Sequence, residues 1–238
     1  MTSDQLIFPK TESWKIFNLI SGRYDLLNRL LSLGMDLSWR KRMIDLIPQE
    51  RTVRLLDIAT GTADVAIAAV EARPNIYSAV GLDMAEAMLK IGREKVEKKD
   101  FAKKILLQHG DAQQLPFGDN TFDALTIAFG IRNITDLRQA LMEMYRVTKP
   151  GGQALILEFS IPQNPLWRLG YIIYLRVIVP VVGFLFSGNF RAYKYLNQTI
   201  EQFPYGERFC KILRQMGFAR VSATPLFGGV ATVYAAEK

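Results

Sequence analysis

The stretch LLDIATGTADVAI at residues 55–67 contains an apolar run, the acid Asp57, a loop of small residues and a helix-like segment. This is the outline of a nucleotide-binding turn at the end of a β-strand. A pyrophosphate on such a helix N-terminus usually needs two or three glycines, because the backbone must approach it closely. Only Gly61 is present, with Ala59 and Ala63 on either side of it. The loop therefore favours a ligand without a phosphate at this position.

Acidic residues follow the next two predicted strands. Asp83 ends the second strand, and its carboxylate could accept hydrogen bonds from two ribose hydroxyl groups. The third strand leads to GDAQQLPF at 110–117, where Asp111 could accept an adenine amino proton and the Ala112 backbone could contribute. Ligands of open parallel sheets bind outside the carboxyl ends of the strands. Asp83 could instead cap the helix at 86–98, and Asp111 could be an ordinary turn residue. Taken together, these acids and the glycine-poor loop suit a nucleoside with an amino-acid tail, which is S-adenosylmethionine.

The composition restricts the other chemistry available to the chain. Apolar residues make up 49% of the 238 residues, enough for a substantial core. Cys210 is the single cysteine and His109 the single histidine. These counts exclude an intramolecular disulfide framework and a cysteine-cluster metal site. They also exclude catalytic triads and most zinc sites, unless His109 alone carries the chemistry. We therefore expect no metal centre.

Charge and the N-terminal sequence bear on location and partners. The start, MTSDQLIFPKTESW, lacks a basic segment followed by an apolar stretch, so we expect no secretory signal and a cytoplasmic protein. The net charge of +7 is compatible with a nucleic-acid partner, with an anionic membrane surface or with a contribution to solubility alone. The basic residues are scattered rather than arranged as a stripe interleaved with aromatics, so we do not expect a nucleic-acid partner.

The apolar pattern predicts the elements that position these residues. Short apolar runs alternate with helix-length segments, which predicts βαβ units, an α/β fold and a largely parallel sheet. The predicted strands are 53–59, 78–83, 105–109, 122–128 and 153–159, and the predicted helices are 64–73, 86–98 and 136–148. The last of these helices should end before Pro150 and Gly151. The tail predicts an antiparallel hairpin around Gly228 and Gly229.

Two segments lie outside this alternation. Residues 10–48 have the pattern of amphipathic helices, and 161–204 form an insertion before the closing hairpin. Within the insertion, 169–187 is apolar except for Arg176, which would cost about 2.5–3.5 kcal/mol near a membrane centre. Pro180 should break a helix there. We therefore expect a broken apolar insert that covers a pocket or touches a membrane, and not a membrane span. An ordinary buried core helix is the alternative.

Several motifs of the chain resemble those of the ubiquinone/menaquinone biosynthesis C-methyltransferases. They are LLDIATGTAD, GLDMAEAML, GDAQQLPFGDNTFD, AFGIRNITD, YRVTKPGG and LEFSIP, preceded by GRYDLLNRLLSLGMDLSWR and followed by YKYLNQTIEQFP. The resemblance extends from about Tyr24 to residue 238 and includes motifs outside the generic cofactor fold. It implies a class I Rossmann-like methyltransferase that uses S-adenosylmethionine to methylate a ring carbon of a polyprenyl quinol.

The resemblance also implies a domain plan and a cofactor site. The plan is a single domain with an N-terminal helical cap at 1–48, a cofactor-binding core at 50–160 and 205–238, and an apolar helical insert at 161–204 covering the acceptor site. The cofactor-binding residues implied by motif match are Thr62, Asp83, Asp111, Ala112 and Ala128, and Asp57, Gly61 and Met84 are further candidates in the same loops. Some family members have serine at position 128, so a side-chain hydroxyl contact is missing here.

The implied reaction needs a group that favours an ionised acceptor. A phenol with a pKa near 10 is about 0.1% ionised at pH 7, which corresponds to roughly 4 kcal/mol. Arg132, just after strand four, is our candidate for holding the phenolate, with Asn133 as a hydrogen-bond partner. Glu158 is a possible base, whereas His109 is expected to pack within its strand.

The N-terminal cap offers further candidates. Tyr24 and Asn28 share a helix face, and with Asp25 they could close over the ring or relay a proton, although packing and capping roles are as plausible. The polyprenyl tail needs an apolar path, which the insert could line with Trp167, Tyr171, Tyr174, Val181, Phe184 and Phe186. Anionic headgroups could be contacted by Arg168, Arg176 and Arg191.

We therefore expect a cytoplasmic enzyme that associates peripherally with the inner face of the membrane, with a homodimer as a possibility. A methyltransferase acting on another lipid-like or phenolic acceptor is the alternative function. Two alternatives from other classes are an NAD-dependent dehydrogenase on a similar sheet and a non-catalytic membrane or nucleic-acid adaptor. The choice between a menaquinone and a ubiquinone precursor stays open at this point, as does the length of the tail.

Overall fold

A seven-stranded sheet in the order β3-β2-β1-β4-β5-β7-β6 lies at the centre of the computed structural model, which describes residues 6, 8–187 and 190–238. The strands are β1 Val53–Ile58, β2 Ile76–Asp83, β3 Ile105–His109, β4 Phe122–Ala128, β5 Thr148–Phe159, β6 Arg220–Leu226 and β7 Ala231–Glu237. Neighbours from β3 to β5 are parallel, and β7 is antiparallel to both β5 and β6. The expected α/β class with a C-terminal antiparallel hairpin is confirmed.

Helices precede, separate and follow the parallel strands. They are α1 Ser13–Ile20, α2 Tyr24–Leu31, α3 Met35–Ile44, α4 Asp64–Ala72, α5 Glu86–Lys98, α6 Leu137–Val147, α7 Pro165–Ile173, α8 Val179–Ser187, α9 Phe190–Gln202 and α10 Glu207–Gln215. One boundary differs clearly from its prediction, because β5 begins at Thr148 and not at residue 153. Phe122 pairs with Thr148 but Ala124 with Gln153, so the intervening residues bulge out of the ladder. Gly151 permits this bulge with a φ of +71°.

Each face of the sheet has its own apolar core. Leu55 and Leu56 are neighbours in β1 but belong to opposite cores, because side chains alternate along a strand. The core that contains Leu55 also contains residues of α1 to α5 and of the insert helices α7 to α9. The core that contains Leu56 is completed by α6 and α10. The N-terminal helices and the insert therefore cover the same face.

The insert helix passes through Pro180 without a break. Helical structure continues over Pro165–Leu185, so the expectation that Pro180 breaks the helix is wrong. The reason is a π-helical turn at Tyr174–Ile178, in which the Val179 N–H donates to the Tyr174 carbonyl five residues back. Pro180 comes directly after this turn, where the hydrogen-bond pattern of the helix already changes. The N–H donor that proline lacks therefore interrupts the helix less than it would inside a regular α-helix. By length and composition alone this helix could cross a membrane, and 28% of its most apolar window is buried.

Candidate active site

Two cavities lie side by side at the carboxyl ends of the parallel strands. The first, which we call the strand-end cavity, has a volume of about 300 Å³ and is lined by the loops after β1, β2, β3 and β4. The second, which we call the apolar cavity, has a volume of about 420 Å³ and lies between the N-terminal helices and the insert. Both are lined by Phe17, Tyr24, Phe129 and Asn133. These four residues form a shared wall.

Six of the residues expected to bind a cofactor line the strand-end cavity. They are Gly61, Asp83, Met84, Asp111, Ala112 and Ala128. They come from four separate strand ends, which the parallel sheet brings to one edge. Apolar runs in the sequence located these strand ends correctly, and the site residues follow from them.

Asp83 is held by backbone donors at the end of β2. One carboxylate oxygen accepts the Gly61 N–H and the other accepts the Ala85 N–H, each at 2.8 Å. Burial raises the pKa of Asp83, and these backbone hydrogen bonds oppose the rise. A carboxylate oxygen has more than one lone pair, so each keeps capacity for another donor. Two neighbouring hydroxyl groups of a ligand would satisfy that capacity.

Asp111 is oriented by a residue that the sequence analysis missed. Its Oδ1 atom accepts from the Gln113 N–H at 2.9 Å and from Gln113 Nε2 at 3.1 Å. The Gln113 side-chain oxygen accepts the Asp136 N–H at 2.9 Å, which ties this loop to the start of α6. Gln113 also lines the strand-end cavity. A turn glutamine two residues after an acid carries no signal that would have identified it in advance.

The loop after β1 has an unusual backbone. Ala59 and Ala63 have φ angles of +51° and +64°, beside Gly61 at +56°. Left-handed alanines cost about 1–2 kcal/mol each, so the surroundings must impose this conformation. Asp57 does so from below, because its carboxylate accepts from Thr60 Oγ1 at 2.6 Å and from Thr126 Oγ1 at 2.7 Å. Asp57 is fully buried beneath the loop and lies behind the cavity wall.

Thr62 and Asp25, expected to bind cofactor and acceptor, belong to a polar network behind the loop. Thr62 Oγ1 donates to Asp25 at 2.8 Å. Lys95 Nζ donates to Asp25 at 2.5 Å, to Thr62 Oγ1 at 2.9 Å and to Asp64 at 2.7 Å. Arg40 adds a 2.8 Å ion pair to Asp64. The network connects α2 and α3 to the loop and to α5, and Lys95 was not identified from the sequence.

Residues of the cap and insert make the apolar cavity. Tyr24 and Asn28 both line it, in agreement with their shared face on α2. The insert contributes Trp167, Tyr171, Tyr174, Leu175 and Val179 to its lining. Val181 and Phe184 are about half exposed on the outside of α8, so the expectation that they line a path for the tail is wrong. The Phe186 side chain lies outside the described residues.

Arg132 and Glu158 form a buried ion pair beside the apolar cavity. Arg132 lies in a short 3₁₀ turn, Ile131–Asn133, directly after β4. Its Nη1 donates to Glu158 Oε1 at 2.7 Å and also to the Phe129 carbonyl. Glu158 accepts the Phe159 N–H at 2.8 Å as well. Arg132 lines the cavity, whereas the fully buried Glu158 lies behind it and fixes the guanidinium.

Phe129 and Gly130 define the junction of the two cavities. Phe129 has a φ of +58°, rare for a bulky residue, and its ring lies 4.5 Å from that of Phe159. A Cβ atom on Gly130 would lie 2.5 Å from the Ala59 Cβ, so only glycine lets the β1 and β4 loops approach so closely. Within the described chain, the side-chain amide of Asn133 is buried with no hydrogen-bond partner for either its nitrogen or its oxygen.

The N-terminal segment reaches further into the site than the sequence indicated. Lys10, Trp14 and Phe17 line the strand-end cavity, and burial together with the nearby Arg132 charge lowers the pKa of Lys10. His109, expected to pack within β3, is exposed instead, because it is the last residue of a strand near the sheet edge. No group of three or more His, Cys, Asp or Glu residues suited to a metal occurs among the described residues.

Comparison with known sequences gives matches over almost the whole chain. The model of the ubiE/COQ5 methyltransferase family matches residues 9–238. A ubiquinone/menaquinone biosynthesis C-methyltransferase UbiE from Geotalea uraniireducens is 44% identical, covering 94% of this chain and 95% of the relative. A demethylmenaquinone methyltransferase from Thermus thermophilus is also 44% identical, covering 94% of this chain and 100% of the relative.

Solved structures with low sequence identity share the fold. A possible histamine N-methyltransferase from Thermotoga maritima, described as SAM-dependent, superposes with a TM-score of 0.67 at 19% identity, covering 95% of this chain and 99% of that one. A putative S-adenosyl-L-methionine-dependent methyltransferase from Methanococcus maripaludis gives 0.61 at 18% identity, covering 100% and 97%. These likenesses concern the fold alone.

Proposed function

Because this chain belongs to the ubiE/COQ5 methyltransferase family, we propose that it methylates a ring carbon of a polyprenyl quinol with S-adenosylmethionine as methyl donor. Family membership makes the chain an enzyme, an S-adenosylmethionine-dependent C-methyltransferase of quinone biosynthesis. The names of its relatives support a quinol acceptor. The structural observation that carries the proposal is the wall shared by the strand-end cavity, which is the more polar of the two, and the apolar cavity.

The strand-end cavity suits S-adenosylmethionine, which when bound supplies an electrophilic methyl group on a sulfonium. The spare acceptor capacity of Asp83 suits the two ribose hydroxyls, and Asp111 with the Ala112 backbone suits the adenine amino edge. The small residues around Gly61 leave room for the amino-acid tail. Met84 and Ala128 complete the wall.

The apolar cavity suits the quinol ring and the first part of its tail. Its volume of about 420 Å³ falls in the range typical of small-molecule sites, and most of its lining is aliphatic or aromatic. Arg132 is positioned by Glu158 through Nη1, while its Nε atom has no partner within the described chain. Arg132 therefore keeps a donor for the phenolate oxygen. Asn133 and Tyr24, on the shared wall, would contact the ring where it meets the methyl group.

Four of the expected site residues would act through others. Asp57 holds the conformation of the cofactor loop, and Thr62 and Asp25 connect that loop to the cap helix α2. Glu158 orients Arg132. We propose positioning roles for all four, since their polar atoms already have protein partners behind the cavity walls.

Reversible membrane association would bring the enzyme to a polyprenyl acceptor. Apolar side chains on the outer face of the insert helix are exposed, among them Leu166, Leu169, Ile173, Val177 and Leu185. A cleft beside this face is lined by Arg168, Arg176 and Arg208, with Arg176 paired to Glu201 at 2.7 Å. Apolar side chains flanked by arginines suit the interface of an anionic bilayer. We therefore propose a peripheral enzyme at the cytoplasmic face. A homodimer stays a prediction.

The acceptor assay tests this function. The enzyme is incubated anaerobically with S-adenosylmethionine and a short-chain demethylmenaquinone, with and without dithionite, and products are identified by mass spectrometry. Methylated product should form only in the reduced sample, because the oxidised ring is electron-poor and has no hydroxyl to ionise. A short-chain methoxybenzoquinone in parallel separates the two quinone classes. Equal product from the oxidised ring would contradict the phenolate mechanism, and methylation of only a simple phenol or a phospholipid amine would contradict the quinol proposal.

A further inference from the structure

Tyr171 lines the apolar cavity, and its hydroxyl group is buried without a hydrogen bond in the described chain. Tyr171 lies on α7 and is 8% exposed, and its hydroxyl has no partner among the residues that the structure describes. A buried unsatisfied hydroxyl costs about 1–3 kcal/mol. Tyr174, three residues later in the same cavity, shows the usual solution, because its hydroxyl donates to the Leu31 carbonyl at 2.5 Å. Tyr171 therefore keeps an unused hydrogen-bond donor at the lining of this cavity.

Two other residues that line this cavity also have buried polar atoms without a partner in the described chain. Arg132 Nε and the Asn133 amide nitrogen are also buried donors with no partner within the described chain. The Tyr171 phenol lies close enough to Arg132 and Glu158 for their charges to influence it. Polar donors that converge in an otherwise apolar cavity usually fix the orientation of a bound molecule. Here they would meet an oxygen atom of the acceptor.

We propose that the Tyr171 hydroxyl donates a hydrogen bond to the acceptor oxygen that becomes negatively charged, so that Tyr171 and Arg132 together select a ring with an ionisable hydroxyl. This inference rests on the proposed function. Burial raises the pKa of Tyr171 well above its ordinary value, so the residue keeps its proton and remains a neutral donor. An acceptor whose hydroxyl is replaced by a methyl ether cannot ionise at that oxygen. Tyr171 and Arg132 would therefore have no negative charge to stabilise.

The test is Tyr171→Phe, which removes only the hydroxyl. A hydrogen bond to a charged group contributes about 1.5–3 kcal/mol, so kcat/KM for a short-chain demethylmenaquinol should fall roughly 10- to 150-fold. Affinity for S-adenosylhomocysteine, measured by calorimetry, should not change. The rate should also recover at higher pH, where more phenolate forms without the donor. Tyr174→Phe is the comparison, because it removes a hydroxyl already bonded to protein; it should lower the thermal midpoint without moving the pH profile.

Each outcome bears on a different claim. An unchanged kcat/KM and pH profile in Tyr171→Phe would overturn the inference. A loss of kcat/KM that is equal at every pH, together with a lower thermal midpoint, would also overturn it, because that result indicates that the hydroxyl contributes only to packing. If the wild-type enzyme methylated neither the short-chain demethylmenaquinol nor the reduced methoxybenzoquinone, the proposed function would be overturned, and the inference with it. Wild-type methylation with a pH-dependent defect confined to Tyr171→Phe supports both.

Discussion

Glu158 accepts a hydrogen bond from Arg132 Nη1 at 2.7 Å, and neither side chain is accessible enough to be solvated by bulk water. Breaking a buried pair by removing one partner typically costs 3–5 kcal/mol, because the other charge is left uncompensated. The pair therefore fixes Arg132 at the cavity wall only while both members are present. We therefore propose that Glu158 positions Arg132 and does not act as a base.

We expect Glu158→Gln to lower both the thermal midpoint and the turnover. The amide keeps one acceptor but loses the charge that holds the guanidinium, so turnover should fall at least tenfold while cofactor affinity is kept. Glu201→Gln is the matched control, because it weakens a more exposed pair with Arg176 that contributes about 0–1 kcal/mol. If Glu158→Gln matched this control in midpoint and turnover, the positioning role would be refuted.

Arg132→Ala should slow turnover far more than it weakens cofactor binding. The phenolate loses its cation, and part of the loss should be recovered at higher pH, where more acceptor ionises unaided. Because this variant leaves Glu158 unpaired, the double variant Arg132→Met with Glu158→Gln separates the chemical loss from instability. Normal turnover in Arg132→Ala would remove that residue from the mechanism.

Asp83→Ala should weaken S-adenosylhomocysteine binding by roughly 10- to 150-fold, as expected from the loss of about 1.5–3 kcal/mol of hydrogen bonding to a charged group. Calorimetry measures the affinity directly. Asp83→Asn keeps one acceptor oxygen and should give an intermediate value. Wild-type affinity in both variants would mean that the ribose binds elsewhere.

The buried Asp57 predicts a pH dependence of stability. Burial raises the pKa of Asp57 to about 6 from an ordinary 3.8, while hydrogen bonds from Thr60 and Thr126 oppose the rise. The folded state thus binds this proton more tightly than the unfolded state. The resulting stabilisation is fully present below pH 4 and disappears as the pH rises through 6, a change of roughly 3 kcal/mol.

The side chain in Asp57→Asn cannot titrate, so the stability of this variant relative to the wild type should increase as the pH rises. Thermal midpoints measured from pH 4.5 to 8 should show a difference, variant minus wild type, that increases up to about pH 7 and is then constant. A difference independent of pH would show that the Asp57 carboxyl titrates in the folded state as it does in the unfolded chain.

Binding to anionic vesicles should be reversible and sensitive to salt. Screening shortens the range of charge interactions from about 10 Å at 0.1 M salt to about 3 Å at 1 M, so cosedimentation should decrease across this range. Leu169→Ser should weaken binding, whereas Leu106→Ser, with the same 60% exposure on a strand remote from the insert, should not. Equal effects of the two substitutions, or resistance to carbonate extraction, would contradict a peripheral mode of binding through the insert.

The sequence by itself determined the strand ends and the acids on them. Apolar runs of strand length, separated by helical spacing, allow few topologies, and parallel strands must place their carboxyl ends along one edge. Asp83 and Asp111 were therefore predictable neighbours although 28 positions separate them (111 − 83). The hairpin around Gly228 followed from local turn chemistry, since two consecutive glycines between apolar runs favour a tight turn.

Only the tertiary structure decided which polar side chains face the cavities and which support them from behind. Thr62, Asp25 and Lys95 meet across three elements, and no spacing along the chain encodes that meeting. Glu158 and Arg132 lie on neighbouring segments, but the direction of each side chain depends on the packing around it. The helix through Pro180 likewise depends on a π turn, and within that turn the Leu175 carbonyl accepts a hydrogen bond from the Asn197 side chain of α9. Local sequence preferences determine helices and strands. The partner of a buried charged group depends instead on all the groups that surround it in the folded protein.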